Sequence, residues 1–214
     1  MRDIEKYPKE TYSILNYDKK ILNHCTPKKQ ISKSGRPIII TYMGLARIGI
    51  KTFKRFIDCF ANDKRYLLQF FGTDCDTLIG DYVKEKGITN CQVAGTFPPE
   101  ETSKYLNQTD VIMNYYNTGG SQLKVTIGIK ASYGPFLRIP QIVDDETYWA
   151  EVCEKYGFGF PVKNEERLAD EFFDWYTSLD FNNFTNGCDE YISFLLETNR
   201  KFYEKCDDVF LSLK

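Results

Sequence analysis

From Pro37 onward, short apolar runs alternate with amphipathic stretches of helical period. The runs PIIITYM from Pro37, YLLQFF from Tyr66, CQVAG from Cys91, VIMNYY from Val111 and QIV from Gln141 are rich in β-branched or aromatic residues and predict strands. Between them the pattern predicts helices at Lys51 to Ala61, Asp74 to Lys86, Pro99 to Asn107, Leu123 to Ala131 and Asp145 to Tyr156. Gly87 suits the left-handed position that ends the second of these, and Pro98-Pro99-Glu100-Glu101 opens the third with proline and acidic residues in its first turn. A short strand around Phe158 to Val162 should follow, then a helix from Glu165 to Trp175 and a last helix from about Asp189 to Lys205. Strands alternating with helices build a parallel sheet covered on both faces, so the expected fold is α/β, a doubly wound parallel sheet.

The first 35 residues have no clear period and end in the breaker-rich CTPKKQISKSGRP. The expected organisation is a leader or linker over 1–35, the sheet domain over 36–179 and a helical segment over 180–214.

Composition narrows the function classes. The 28 basic and 30 acidic residues nearly balance, with no basic run or aromatic-interleaved Lys/Arg stripe, which argues against a nucleic-acid binder. The charged N-terminal segment has no signal-peptide core, and no stretch reaches the roughly 18 apolar residues of a membrane span, so a cytoplasmic location is expected. The seven cysteines contain no C-x-x-C pair and read as reduced thiols. The single histidine, His24, has no matching ligand pair nearby and is assigned no role, so neither a structural metal nor a Ser/His/Asp arrangement is expected.

In an open parallel sheet, ligands bind beyond the carboxyl ends of the strands. The first such loop, Met43 to Lys51, offers glycines for close backbone approach, and Arg47 and Lys51 could neutralise a diphosphate; it could equally be an ordinary turn with solvated cations. It lacks the G-x-G-x-x-G and Walker spacings. The fourth loop carries Gly119, Gly120 and Ser121, with Lys124 and Lys130 beyond; its amides could cradle a phosphate, or its glycines could only supply a turn. Tyr115 and Tyr116 read as packing residues. Gly72 and Thr73 after the second strand, and Gly95, Thr96 and Phe97 after the third, could line a base pocket, though neither motif is specific alone.

The order of segments ITYMGLAR, LLQFFGTDCD, VAGTFPPEE, DVIMNYYNTGG and IKASYGPFLRIPQIVDDETYWAEVCEKYGFGFPV, from about Pro37 to Ser178, resembles the C-terminal, nucleotide-sugar-binding domain of GT-B glycosyltransferases, especially bacterial enzymes of capsule and lipopolysaccharide assembly. In that family an Asn-Lys-x-Tyr-Glu/Asp element precedes a Gly-x-Pro-x-Ile strand, Thr-Tyr-x-Ala-Glu and a Lys-Tyr-Gly-x-Gly-Phe turn. Lys130, Pro140, Ile142, Thr147, Tyr148, Ala150, Glu151, Lys155, Tyr156, Gly157, Gly159 and Phe160 fit that order.

The resemblance implies a Rossmann-like fold, one half of a GT-B enzyme. It also implies a nucleotide-diphosphate sugar as donor, a glycan or lipid-linked acceptor and no further cofactor, with Arg47, Lys51 and Lys130 at the donor diphosphate. Two departures stand out. The acidic residue that grips the ribose in many relatives falls at Tyr133, and no glutamate stands between Asn117 and Gln122. The N-terminal acceptor domain is not accommodated in 214 residues, so it would be a missing domain or a separate subunit, with peripheral association at the inner membrane face left open. The alternative reading is a non-catalytic nucleotide-binding or interaction module on a decayed glycosyltransferase fold.

Overall fold

In the computed structural model, which describes residues 14–32, 35–116 and 127–212, six strands form one fully parallel sheet. The strands β1 (Ile38–Met43), β2 (Tyr66–Phe71), β3 (Cys91–Ala94), β4 (Val111–Asn114), β5 (Gln141–Asp144) and β6 (Gly159–Val162) lie in the order β3-β2-β1-β4-β5-β6. The chain builds outward from β1 to β3, then returns to place β4 beside β1, so the strand order reverses between those two. This is the α/β, Rossmann-like doubly wound sheet that the alternating pattern predicts.

Both faces of the sheet are buried. Ile38, Ile40 and Tyr42 of β1 enter one core cluster while Met43 enters another, and Val111 and Met113 of β4 separate from Ile112 in the same way. The first face is covered by α2 (Ile50–Phe60), by α3 (Gly80–Glu85) with the wide turn Cys75–Ile79 before it, and by α7 (Leu168–Ser178). Phe53, Phe56, Ile57 and Phe60 recur at helical spacing along α2 and are fully buried. The second face carries the short α1 (Lys19–Leu22), α4 (Thr102–Gln108), α5 (Ile129–Leu137), α6 (Tyr148–Tyr156) and α8 (Phe181–Ser212).

The described part of the 1–35 span packs on this second face. Tyr17 stacks on Phe136 with ring centroids 5.2 Å apart, Ser132 Oγ donates to the Asn16 carbonyl at 2.6 Å, and Leu15 exchanges two hydrogen bonds with the Asn199 amide. Phe184, Cys188, Tyr191 and Leu195 of α8 join the same cluster as Trp149 and Phe158. Residues 14–32 and α8 therefore share a core with the sheet domain.

Two helices differ from the sequence pattern. The fourth was expected at Leu123 to Ala131; residues 123–126 lie outside the described residues, and α5 runs Ile129–Leu137 through Pro135. A proline inside a helix removes the N–H owed to the carbonyl four residues back, here that of Ala131. Gln141 Nε2 takes that carbonyl at 2.7 Å, while Gln141 Oε1 accepts from Trp149 Nε1 at 3.2 Å. Gly134 makes the approach possible, because a Cβ there would collide with Gln141 Nε2. The last helix starts at Phe181 rather than near Asp189. The Asp180 carboxylate accepts from Asn183 N at 2.8 Å and caps it, and Gly187 is an interior position where a Cβ would collide with the Tyr156 carbonyl.

Gln141→Leu should cost at least about 2 kcal/mol of stability in urea denaturation, because two buried polar groups lose their partner. Adding Trp149→Phe, which removes one orphaned donor, should restore part of that loss; a double variant no better than the single one would refute the bridging role.

Candidate functional site

At the carboxyl edge of the sheet the loops after β1, β2 and β3 meet α5 and enclose a cleft of about 340 Å³. Met43, Gly44 and Leu45 line it from β1, Gly72 and Thr73 from β2, Thr96, Phe97, Pro99 and Thr102 from the third connection, and Lys130 and Tyr133 from α5. The first two loops are tied together where Gly44 N donates to the Phe71 carbonyl and Ala46 N to the Thr73 carbonyl, both at 2.9 Å. Gly72 has φ +131°, and any side chain there would run into the Gly44 carbonyl, so this crossing requires glycine. Thr96 Oγ1 donates to Thr73 Oγ1 at 3.1 Å across the cleft wall.

Among the described residues, Lys130 is the one charged side chain lining this cleft. Its ammonium donates to the Met43 carbonyl at 2.7 Å and lies 4.5 Å from the Tyr42 ring centroid and 5.3 Å from that of Tyr116. Tyr42 is wedged against Phe53, with centroids 4.4 Å apart, and its hydroxyl donates to the Leu45 carbonyl at 3.0 Å. Ring faces and a carbonyl partly replace water around the ammonium, but among the described residues no carboxylate pairs with it. Desolvation therefore dominates and lowers its pKa to about 8. On its other side lies a smaller recess of about 150 Å³ bounded by Asn114, Tyr116, Asp144 and Thr147, where the Asp144 carboxylate accepts from Tyr116 N at 2.9 and 3.0 Å. Lys130 thus stands over the β1/β4 reversal, between the two recesses.

Of the residues singled out in the sequence, Lys130, Gly72, Thr73, Thr96, Phe97 and Tyr133 come together on one cleft. Gly95 backs onto Asp76, whose Oδ2 would lie 2.9 Å from a Cβ there. Arg47 and Lys51 line a separate surface recess of about 360 Å³, and Arg47 Nε is paired to Asp74 Oδ2 at 2.6 Å with its side chain 65% exposed. Gly119, Gly120 and Ser121 lie outside the described residues. Tyr115 is buried and donates to Glu165 at 2.6 Å, Tyr116 packs on Tyr42 and Phe53, and His24 is exposed on the segment before β1. Sequence reasoning missed Tyr42, Leu45, Pro99 and Thr102. The position of Tyr42, second from the end of β1 on the strand flanking the reversal, was the available signal.

Among the described residues there is no group of three side chains suited to hold a metal ion, and no helix is long and apolar enough to cross a membrane. All seven cysteines are free.

No family model matches the chain, and no curated protein matches it in sequence. Solved structures do match in fold. The C-terminal domain of the glycosyl transferase group 1 family protein LpcC from Francisella tularensis superposes with TM-score 0.53 at 15% identity, covering 78% of this chain and 94% of that one. Sucrose-phosphate synthase from Thermosynechococcus elongatus gives 0.59 at 15% identity over 89% and 51%. The pneumococcal O-GlcNAc transferase GtfA, in complex with UDP and GlcNAc, gives 0.55 at 12% over 87% and 38%. The fold is that of the C-terminal domain of a GT-B glycosyltransferase. The chain spans nearly all of that domain in LpcC and about half or less of the two longer proteins.

The state of Lys130 in this fold should be readable in stability. Its pKa falls from 10.5 to about 8 on folding, so between those values the unfolded chain holds a proton that the folded chain has lost. Stability then rises with pH across that window, and the cost of burying the charge is fully present below it. The stability of the unmodified chain relative to Lys130→Met, from urea midpoints at pH 7, 8.5 and 10, should therefore increase with pH; a difference independent of pH would contradict the depressed pKa.

Proposed function

We propose that this domain binds the diphosphate of a nucleotide-sugar donor in the cleft beside Lys130 and forms the donor half of a glycosyltransferase. The observation that carries this reading is an ammonium with no carboxylate partner among the described residues, held at the strand-order reversal of a GT-B-type sheet. Anions are favoured at such a place. The adjacent N-terminus of α5 strengthens the case, since Gly128 caps it and, among the described residues, no side chain makes a capping hydrogen bond there. As the sugar leaves, negative charge grows on the diphosphate, and a fixed ammonium stabilises that charge more than the bound donor. The acceptor we propose is a growing surface glycan or its lipid-linked precursor, because the resemblance runs to capsule and lipopolysaccharide enzymes and one fold neighbour, WaaG, is a glycosyltransferase involved in lipopolysaccharide biosynthesis.

A second reading, a nucleotide-binding module without transferase activity, is favoured by Tyr133 standing where the resemblance expects an acid. Both readings require nucleotide binding, and they part at sugar transfer.

Titration calorimetry with nucleoside diphosphates at pH 7 should detect binding that Lys130→Ala weakens about tenfold or more. Arg47→Ala should change it less than about threefold, because that guanidinium is exposed and already paired with Asp74. Affinity should decline as pH rises through about 8, where Lys130 loses its proton. Equal affinities for the unmodified chain and Lys130→Ala would remove this lysine from the site.

The purified 214-residue chain should show little or no sugar transfer, since reaction geometry needs both walls of the inter-domain cleft. Robust transfer to a defined acceptor by this chain alone would overturn that expectation.

A further inference from the structure

We infer that Lys130 is an acylation site, where a small acyl phosphate transfers its acyl group to the Nζ nitrogen and so removes the cation from the cleft. The amine stands at the wall shared by two recesses of about 340 and 150 Å³, open to a small reagent from solvent. Gly44 keeps its approach clear, since a Cβ added there would lie only 3.0 Å from Nζ. The Met43 carbonyl, at 2.7 Å, orients the group through one N–H, and the rings of Tyr42 and Tyr116 flank it. A neutral amine keeps that hydrogen bond and still has its lone pair for attack. The first turn of α5, opened by Gly128, favours the phosphate of the reagent beside it.

The same enclosure supplies the reactive form. Desolvation lowers the Lys130 pKa to about 8, so much of the amine is neutral at a pH where an ordinary lysine is almost wholly protonated. The titratable groups around it are Tyr42 on β1, Tyr116 after β4, Cys75 in the turn before α3 and Tyr133 on α5; burial raises the pKa of each, so they stay neutral in that range. Asp144, on the far recess, accepts from Tyr116 N. In the reaction the lone pair attacks the acyl carbon and the N–C bond forms. The C–O bond to phosphorus-bound oxygen breaks, inorganic phosphate leaves with that electron pair, and the amine proton passes to solvent. The product is a neutral amide. If the cation holds a donor diphosphate, acylation switches that site off; this consequence rests on the reading above, whereas the acylation itself does not.

The test is peptide mass spectrometry of the folded full chain after brief exposure to acetyl phosphate, with acetylation rates compared site by site. Lys28 is the internal control. Desolvation lowers its pKa too, but it donates to the Asn107 carbonyl and is not a lining residue of the cleft. At pH 8 Lys130 should acetylate at least about tenfold faster than Lys28, and its rate should climb through about pH 8 and then level off. In guanidinium chloride the two lysines should react within about twofold of each other, because cleft and desolvation are both gone. A folded-state ratio above about threefold that collapses on unfolding supports the inference; a smaller ratio, or one that survives unfolding, overturns it. A chain that binds no nucleoside diphosphate yet acetylates selectively at Lys130 keeps the modification site and loses only its stated consequence.

Discussion

The carbonyl of Ala131 is where much of this domain's geometry is decided. Pro135 deprives it of its helical partner, and an unpaired carbonyl buried in that position would cost more than most single contacts return. Gln141 satisfies it from the first residue of β5, and the same side chain accepts from Trp149 on α6. One buried carboxamide thereby joins α5, β5 and α6. Because Lys130 immediately precedes Ala131, the bond that rescues the broken helix also sets the height at which the lysine leaves α5. From there its ammonium reaches the last carbonyl of β1.

What this placement produces is a charge kept partly out of water without an ionic partner. Such a group is unfavourable for folding and favourable for an incoming anion, for the same reason: the desolvation that lowers its pKa has already been incurred before a ligand arrives. Arg47 is the contrast. Exposed and neutralised by Asp74, it carries the same formal charge but exerts a field that water and its partner largely cancel. Counting cations on candidate loops does not distinguish the two, whereas their surroundings do.

That difference marks how far the sequence could be read. All six strands stood out; in the four inner ones, β2, β1, β4 and β5, residues buried on both faces leave short apolar runs between breakers, a property of each segment by itself. The shift of α5 and the early start of α8 depend on contacts distant in the chain. Gln141 had to be known to cap the carbonyl freed by Pro135, and Gly187 had to be known to lie against Tyr156 before it could be read as anything but a helix breaker. The cleft was half legible. Gly72, Thr73, Thr96 and Phe97 follow strand ends, where topology alone directs attention, whereas Lys130 was expected near the end of a helix and Tyr133 came only from the resemblance; all six meet. The position of Arg47 beyond Asp74, and of Tyr42 beneath Lys130, is set by side-chain direction that no periodicity encodes.

The outer strands of the sheet carry a different consequence. β3 and β6 are each four residues long, and β6 contains Pro161, which has no amide hydrogen. An open sheet edge is a template on which a strand from another molecule can grow by main-chain pairing, and brevity and proline are two ways to spoil it. A parallel sheet is slow to assemble and leaves its edges exposed while helices dock, so this blunting acts during folding as well as after it. The same strand that completes the sheet also discourages the chain from propagating it into an aggregate.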